Sequence, residues 1–215
     1  MPESTGAPRR PRGRPPTGAR EAILAAALEI LSGDGLDHLT TRAVARRAHT
    51  SEASVFYHFG DKVGLLQEAV LAGLGPLRAV DAAMLSGAID QPLGETLAVI
   101  TAALEGFFNH AMPVIAVIQA DASLRRAFAE RLVQGDLGPH RGVQLVADYL
   151  RAMVARGAVR ADVDCDAVAV LVVGGSFLAA WQHAMSDGRS DAKLPGLRRV
   201  GDTLIGLLAP APPVD

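Results

Sequence analysis

The chain has one cysteine, Cys165, among 215 residues, and only 4% of its residues are aromatic. A lone cysteine excludes an intramolecular disulfide framework and a cysteine-cluster metal site. An excess of one charge is also missing. The 21 basic side chains face 23 acidic ones, for a formal net charge of -2, which taken whole argues against a nucleic-acid partner. The first twenty residues hold Pro and Arg but no apolar stretch, so no signal peptide is expected. Long hydrophobic runs are scarce. The longest uncharged stretch, 167–186, approaches spanning length but includes Gly174, Gly175, Ser176, Gln182 and His183. It reads as a buried helix of a core or a dimer interface. A cytoplasmic protein with no membrane partner is expected.

What is present is apolar bulk, 49% of the residues, enough to bury a core and to exclude wholesale disorder. The length suits one large domain or two small ones. The charge is unevenly spread. Residues 1–62 carry nine basic groups against seven acidic, and residues 63–215 carry twelve against sixteen. Within residues 1–20 the balance is five Arg to one Glu. A basic head on an acidic body points to two tasks, with the head either meeting an anion such as DNA or serving only as a basic tag.

Apolar periodicity predicts helices along the chain and no alternating strands, hence an all-α fold. Residues 1–16, built of Pro, Gly and Arg, are expected to form a flexible basic arm. A first helix starts at the N-cap Thr17, lines up Ile23, Leu24, Ala27, Leu28 and Leu31, and ends at Gly33 and Gly35. Thr40 caps a second helix from Thr41 to about Ala48. A third runs from Ser51 to about Tyr57, and Asp61 caps a fourth that carries Leu65, Leu66, Ala69 and Val70. Further on, a helix spans Pro92 to about His110, and Pro113 opens a short one to about Gln119. Ser123 caps a run that breaks near 135–139 and ends at Ala155. Asp164 caps a helix to Met185, and a last helix covers Pro195 to Leu208. The expected division is an arm 1–16, a three-helix helix-turn-helix domain 17–62, a larger helical domain 63–208, and a disordered tail 209–215.

The three short helices before Phe59 fit a helix-turn-helix unit, whose second helix of the pair enters the major groove. Small residues, Ala53 and Ser54, would let the third helix approach DNA closely. Tyr57 and His58 offer a hydroxyl and a ring N–H to phosphates or base edges. Thr40, Thr41, Arg42 and Lys62 stand where helix starts can meet phosphates, and Thr50 can also cap the third helix. Glu52 faces the same groove. It would repel phosphate, and it reads as a solvated carboxylate at a helix N-terminus in preference to an acceptor for a cytosine amino group. Such units also occur in folds that never touch DNA, and spacing alone leaves that alternative open.

The residues Ile23-Leu24-Ala25-Ala26-Ala27, Gly35-Leu36, Leu39-Thr40-Thr41-Arg42, Val44-Ala45-Arg46-Arg47-Ala48, Ser51-Glu52-Ala53-Ser54-Val55-Phe56-Tyr57-His58-Phe59 and Asp61-Lys62 resemble the DNA-binding region of the TetR/AcrR family of bacterial regulators. The resemblance implies DNA contacts from Thr41, Ser51, Ala53, Ser54, Phe56, Tyr57, His58 and Lys62. Two departures stand out. The turn holds His49 and Thr50 where the family usually has Gly and an apolar residue, so His49 is expected to take a positive φ. Phe56 lacks the hydroxyl often found at its position. In the arm, Arg12-Gly13-Arg14-Pro15 resembles the core of an AT-hook, whose arginines enter a narrow minor groove.

The same resemblance implies a small-molecule pocket between residues 62 and 155 and a four-helix dimer interface made by the last two helices and their mates. Candidate ligand residues are Phe107, Phe108, His110, Met112, Gln119, Met153, Trp181 and Gln182. Candidate interface residues are Gly174, Gly175, Phe177, Leu178, Trp181, Leu204 and Leu208.

Catalysis finds no constellation. The histidines 38, 49, 58, 110, 140 and 183 are scattered, and neither a Gly-rich phosphate loop nor a nucleophile elbow is present. Asp162, Asp164 and Asp166 alternate but lack the glycine and terminal Glu of a calcium loop, so capping is the better account. No metal, no cofactor and no enzyme activity is expected. The reading is a homodimeric, ligand-responsive regulator, a repressor released from a palindromic operator by a small apolar molecule. The alternatives are an activator or ligand-independent regulator of the same fold, or a helical small-molecule-binding protein or enzyme.

Overall fold

A computed structural model describes residues 18–33, 38–85, 92–186 and 194–210. The described residues are helical, with no strand among them, so the fold is all-α. The chain divides into two compact units, residues 1–62 and 63–215.

The first unit holds α1 (Ala19–Gly33), α2 (Thr41–Arg47) and α3 (Glu52–Phe59). Ile23, Leu24, Ala26, Ala27, Ile30 and Leu31 of α1 are buried, with Val44 and Ala45 of α2 and Val55 and Phe59 of α3. Ala26 and Ile30 complete the face that periodicity draws, while Leu28 is only half-buried. The Arg20 guanidinium lies 5.6 Å from the centre of the Phe59 ring, a cation–π contact that ties α1 to α3. The expected cap Thr17, the stop Gly35 and the arm lie outside the described residues.

The second unit holds the remainder of α4 (Lys62–Ala72), then α5 (Gly75–Leu85), α6 (Leu93–Ala120), α7 (Ala122–Gln134), α8 (Pro139–Ala155), α9 (Cys165–Met185) and α10 (Leu197–Leu208). α6 packs along α9, α8 covers α9, and α5 and α10 lie on α6. Leu97, Ile100 and Leu104 of α6, Val146 and Leu150 of α8, and Ala169 and Val173 of α9 form the centre of one apolar core. Between α8 and α9, Arg151 forks to Asp148 at 2.7 Å and to Asp166 at 2.6 Å.

Several expectations need correction. Pro113 does not open a helix: it sits inside the 28-residue α6. A proline in a helix interior costs about 3 kcal/mol. The three buried side chains that follow it, Val114, Val117 and Ile118, each return roughly 1.5–3 kcal/mol. Ser123 does not cap α7. Asp121 does, accepting from the N–H groups of Ser123 at 2.7 Å and Leu124 at 3.0 Å. A carboxylate there also favours the positive end of the helix dipole. α5 was not read from the sequence, because Leu77 and Val80 are its only described buried side chains and make too short a pattern. Asp164 caps α9 as expected, accepting from Ala167 N–H at 3.0 Å, and the valine run is helical. With Pro113 inside it, α6 joins α9 as a second helix long and apolar enough to cross a membrane by length and composition.

Candidate nucleic-acid interface

The geometry of the interface begins with two caps. Thr40 Oγ1 accepts from Ala43 N–H at 3.0 Å and starts α2. Ser51 Oγ accepts from Ser54 N–H at 3.1 Å and starts α3, so Ser51 is the cap itself, and α3 begins at Glu52. Thr50 does not cap; its N–H donates to the Ala45 carbonyl at 2.9 Å. Between the helices His49 adopts φ 52°, the left-handed conformation that the turn demands of it. α3 runs two residues further than expected, to Phe59, where Gly60 at φ 75° donates to the Phe56 carbonyl and stops it.

With Val55 and Phe59 turned inward, α3 leaves Glu52, Ala53, Phe56 and Tyr57 exposed on its outer side. Tyr57 is 79% exposed, so its hydroxyl is free to meet a partner. Ser54 is half-buried beside this face. His58 is not on it: Nε2 is buried with no hydrogen-bond partner, and the ring stands edge-on to Tyr57 with centroids 5.1 Å apart. The expectation that His58 offers that nitrogen to DNA is therefore corrected, because the helical turn that exposes Tyr57 rotates the next side chain inward. Thr41 also changes role. Its hydroxyl donates to Glu52 Oε1 at 2.5 Å across the α2–α3 pair, so it is engaged within the unit. Arg42 is exposed at the start of α2, and Lys62 is half-buried at the start of α4. Arg12 and Arg14 lie outside the described residues.

Residues 23–69 match the family model for bacterial regulatory proteins of the tetR family. Through this segment the chain is similar to the DNA-binding domain of the tetR family. No curated protein matches the chain. Beyond the matched segment, solved tetR-type structures share the fold. A proposed TetR-family regulator from Rhodococcus sp. is 21% identical with a TM-score of 0.63, covering 89% of this chain and 98% of that one. GusR of Salmonella enterica is 20% identical with a TM-score of 0.63, over 91% and 97%. FadR of Bacillus subtilis, solved with stearoyl-CoA, is 15% identical with a TM-score of 0.61, over 88% and 97%.

The sequence-derived ligand residues fall at several places in the second unit. Phe107, Phe108, Met112 and Met153 belong to the apolar core. His110 is bonded through Nε2 to the Ala69 carbonyl at 2.8 Å and holds the last turn of α4; Gly73 leaves room for its ring, since a Cβ there would lie 2.6 Å from it. Gln119 is exposed at the end of α6, and its carbonyl accepts from Arg125 at 2.8 Å. Trp181 is 47% exposed. Gln182 lines an open cleft of about 470 Å³ with Glu105, Gly175, Leu178, Leu197 and Val200.

Two groups escaped the sequence reading. The hydroxyls of Thr96 and Tyr149 are buried without a hydrogen-bond partner, neighbours that do not reach bonding geometry. Burial holds the Tyr149 phenol above its ordinary range, with Thr96 and Arg156 opposing the shift. The trace in the sequence was a polar residue on an otherwise apolar face, Thr96 one turn before Ile100.

The interface residues also sort into two groups. Phe177, Leu178 and Trp181 are exposed on α9, and Gly174 and Gly175 face open space, where an added Cβ would touch nothing within 4 Å. Leu208 is instead buried in its own core, and its carbonyl accepts from Arg160 N–H at 3.0 Å. Leu204 is half-buried against the same core. On α10 the outward apolar residues are Val200, one turn before Leu204, and Leu207, one position before Leu208. Among the described residues no group of His, Cys, Asp and Glu could hold a metal ion.

Proposed function

We propose that the protein is a homodimeric, ligand-responsive repressor in the cytoplasm that reads a palindromic operator. The single observation that carries this reading is the pair of unpartnered faces. One is the capped α3 with Tyr57 and Phe56 outward. The other is the apolar stripe of Val170, Leu171, Leu178, Trp181 and Met185 on α9. On α10, Val200 lines a cleft with Leu178 of that stripe, and Leu207 is exposed as well. Exposed apolar residues in such a stripe mark a protein contact, and the open glycines 174 and 175 let a second backbone come close. A two-fold dimer presents two reading helices to half-sites about 34–36 Å apart.

DNA contacts are assigned to Thr40, Arg42, Ala53, Ser54, Phe56, Tyr57 and Lys62, with Arg12 and Arg14 of the arm adding phosphate or minor-groove contacts. The effector enters the second unit by displacing the core packing of Phe107, Phe108, Met112 and Met153, where the hydroxyls of Thr96 and Tyr149 give it a polar hold. α4 begins at the last residue of the first unit and is latched to α6 by His110, so it is the element through which the effector acts. The effector binds the two states of the dimer with different affinity and shifts it to the one that releases the operator.

The test is binding to DNA upstream of the protein's own gene at several salt concentrations. A preference over random DNA, with affinity falling as salt rises, is expected. Equal affinity for both DNAs at every salt would sink the reading. Removal of residues 1–16 should lower the salt slope by a few units; an unchanged slope makes the arm a bystander.

A further inference from the structure

The outer side of α3 carries one charged side chain, Glu52, and that side chain is anchored. Glu52 is the first residue of α3, set by the Ser51 cap, and Thr41 is the first residue of α2, set by the Thr40 cap. The 2.5 Å bond from Thr41 Oγ1 to Glu52 Oε1 joins the two helix starts. One carboxylate oxygen is thereby fixed in place, and the other is left to an outside donor.

A carboxylate only accepts hydrogen bonds. Against phosphates it is repelled, so on a DNA-facing helix it costs affinity unless it meets a donor. In the major groove the base-edge donors are the N4 amino group of cytosine and the N6 amino group of adenine. Adenine places its acceptor N7 beside N6, which repels the second carboxylate oxygen, whereas the cytosine edge has no acceptor of its own. A free Glu side chain also loses much rotamer freedom when it binds. The Thr41 bond removes part of that freedom in advance, which is how preorganisation turns a weak preference into a sharp one.

We propose that Glu52, positioned by Thr41, selects a cytosine in each half-site by accepting a hydrogen bond from its N4 amino group. The proposal rests on the reading that α3 enters the major groove.

The experiment is selection of binding sites from a random double-stranded DNA library by the full chain, followed by sequencing of the bound pool. The wild type should enrich a motif with one position held as cytosine, by about 5- to 150-fold over other bases. Glu52→Gln keeps an acceptor for Thr41 and adds a donor, so it can pair with both N6 and N7 of adenine. That position should change from cytosine to adenine while the others stay. Glu52→Ala should leave it without preference, and Thr41→Val should keep cytosine with a several-fold weaker preference. An unchanged motif with Glu52→Gln and Glu52→Ala overturns the assignment, and an unchanged preference with Thr41→Val removes the positioning role. A wild-type pool with no motif at all overturns the groove-reading role of α3, and the assignment falls with it.

Discussion

The outer faces of α3 and α9 are both exposed and both lie opposite a buried face, yet they are built from different chemistry. α3 shows a carboxylate, a small residue, a phenyl ring and a phenol. α9 shows Val170, Leu171, Leu178, Trp181 and Met185, interrupted by glycine. Duplex DNA offers charge and hydrogen bonds and little apolar surface beyond thymine methyls, so the first face suits it and the second does not. A second copy of the chain offers apolar surface, which the second face needs. The partner proposed for each face therefore follows from its surface chemistry and not from the overall balance of -2.

Three substitutions break or sharpen this contrast. The largest effect is expected for Trp181→Glu, at the middle of the α9 stripe. Loss of a central Trp at an interface costs about 2–4 kcal/mol, so the dimer should dissociate about 30- to 1000-fold more readily, as read by sedimentation velocity. Helical content should hold, because Trp181 is half outside its own chain's core. An unchanged sedimentation profile would show that α9 faces something other than a second copy.

Next is Tyr57→Ala on α3. Affinity for DNA selected by the wild type should fall roughly 5- to 150-fold with dimerisation and circular dichroism unchanged. Should affinity hold, α3 would be no more a reading face than α9.

The smallest effect concerns neither face. An unpaired buried hydroxyl costs about 1–3 kcal/mol, so Tyr149→Phe should raise the melting temperature by about 2–4 °C or more. The effector response should weaken at the same time. A lower melting temperature in calorimetry would mean that the phenol has a partner inside the folded chain.

Most of the first unit was legible in the sequence because its instructions are local. A Ser or Thr cap acts within three residues, as Thr40 and Ser51 do, and a turn position that needs φ above zero shows itself by the residue placed there, as His49 does. The second unit was less legible for a reason equally physical. Whether Pro113 ends a helix depends on what the residues after it bury. Whether Asp121 or Ser123 caps α7 depends on which side chain reaches the free amides. The difference between Leu207 and Leu208 is a single rotation of about 100° about the helix axis, which sequence spacing does not resolve when both neighbours are leucine.

The sequence by itself determined the helical class and the capped helix-turn-helix, since short-range hydrogen bonding and apolar period suffice for these. Only the tertiary structure decided that Thr41 serves Glu52, that His58 turns inward, that His110 latches α4, and that Thr96 and Tyr149 lie buried without partners. Each of these depends on side chains brought together from separate helices or on one helix's rotation against its neighbours, and no local rule encodes it.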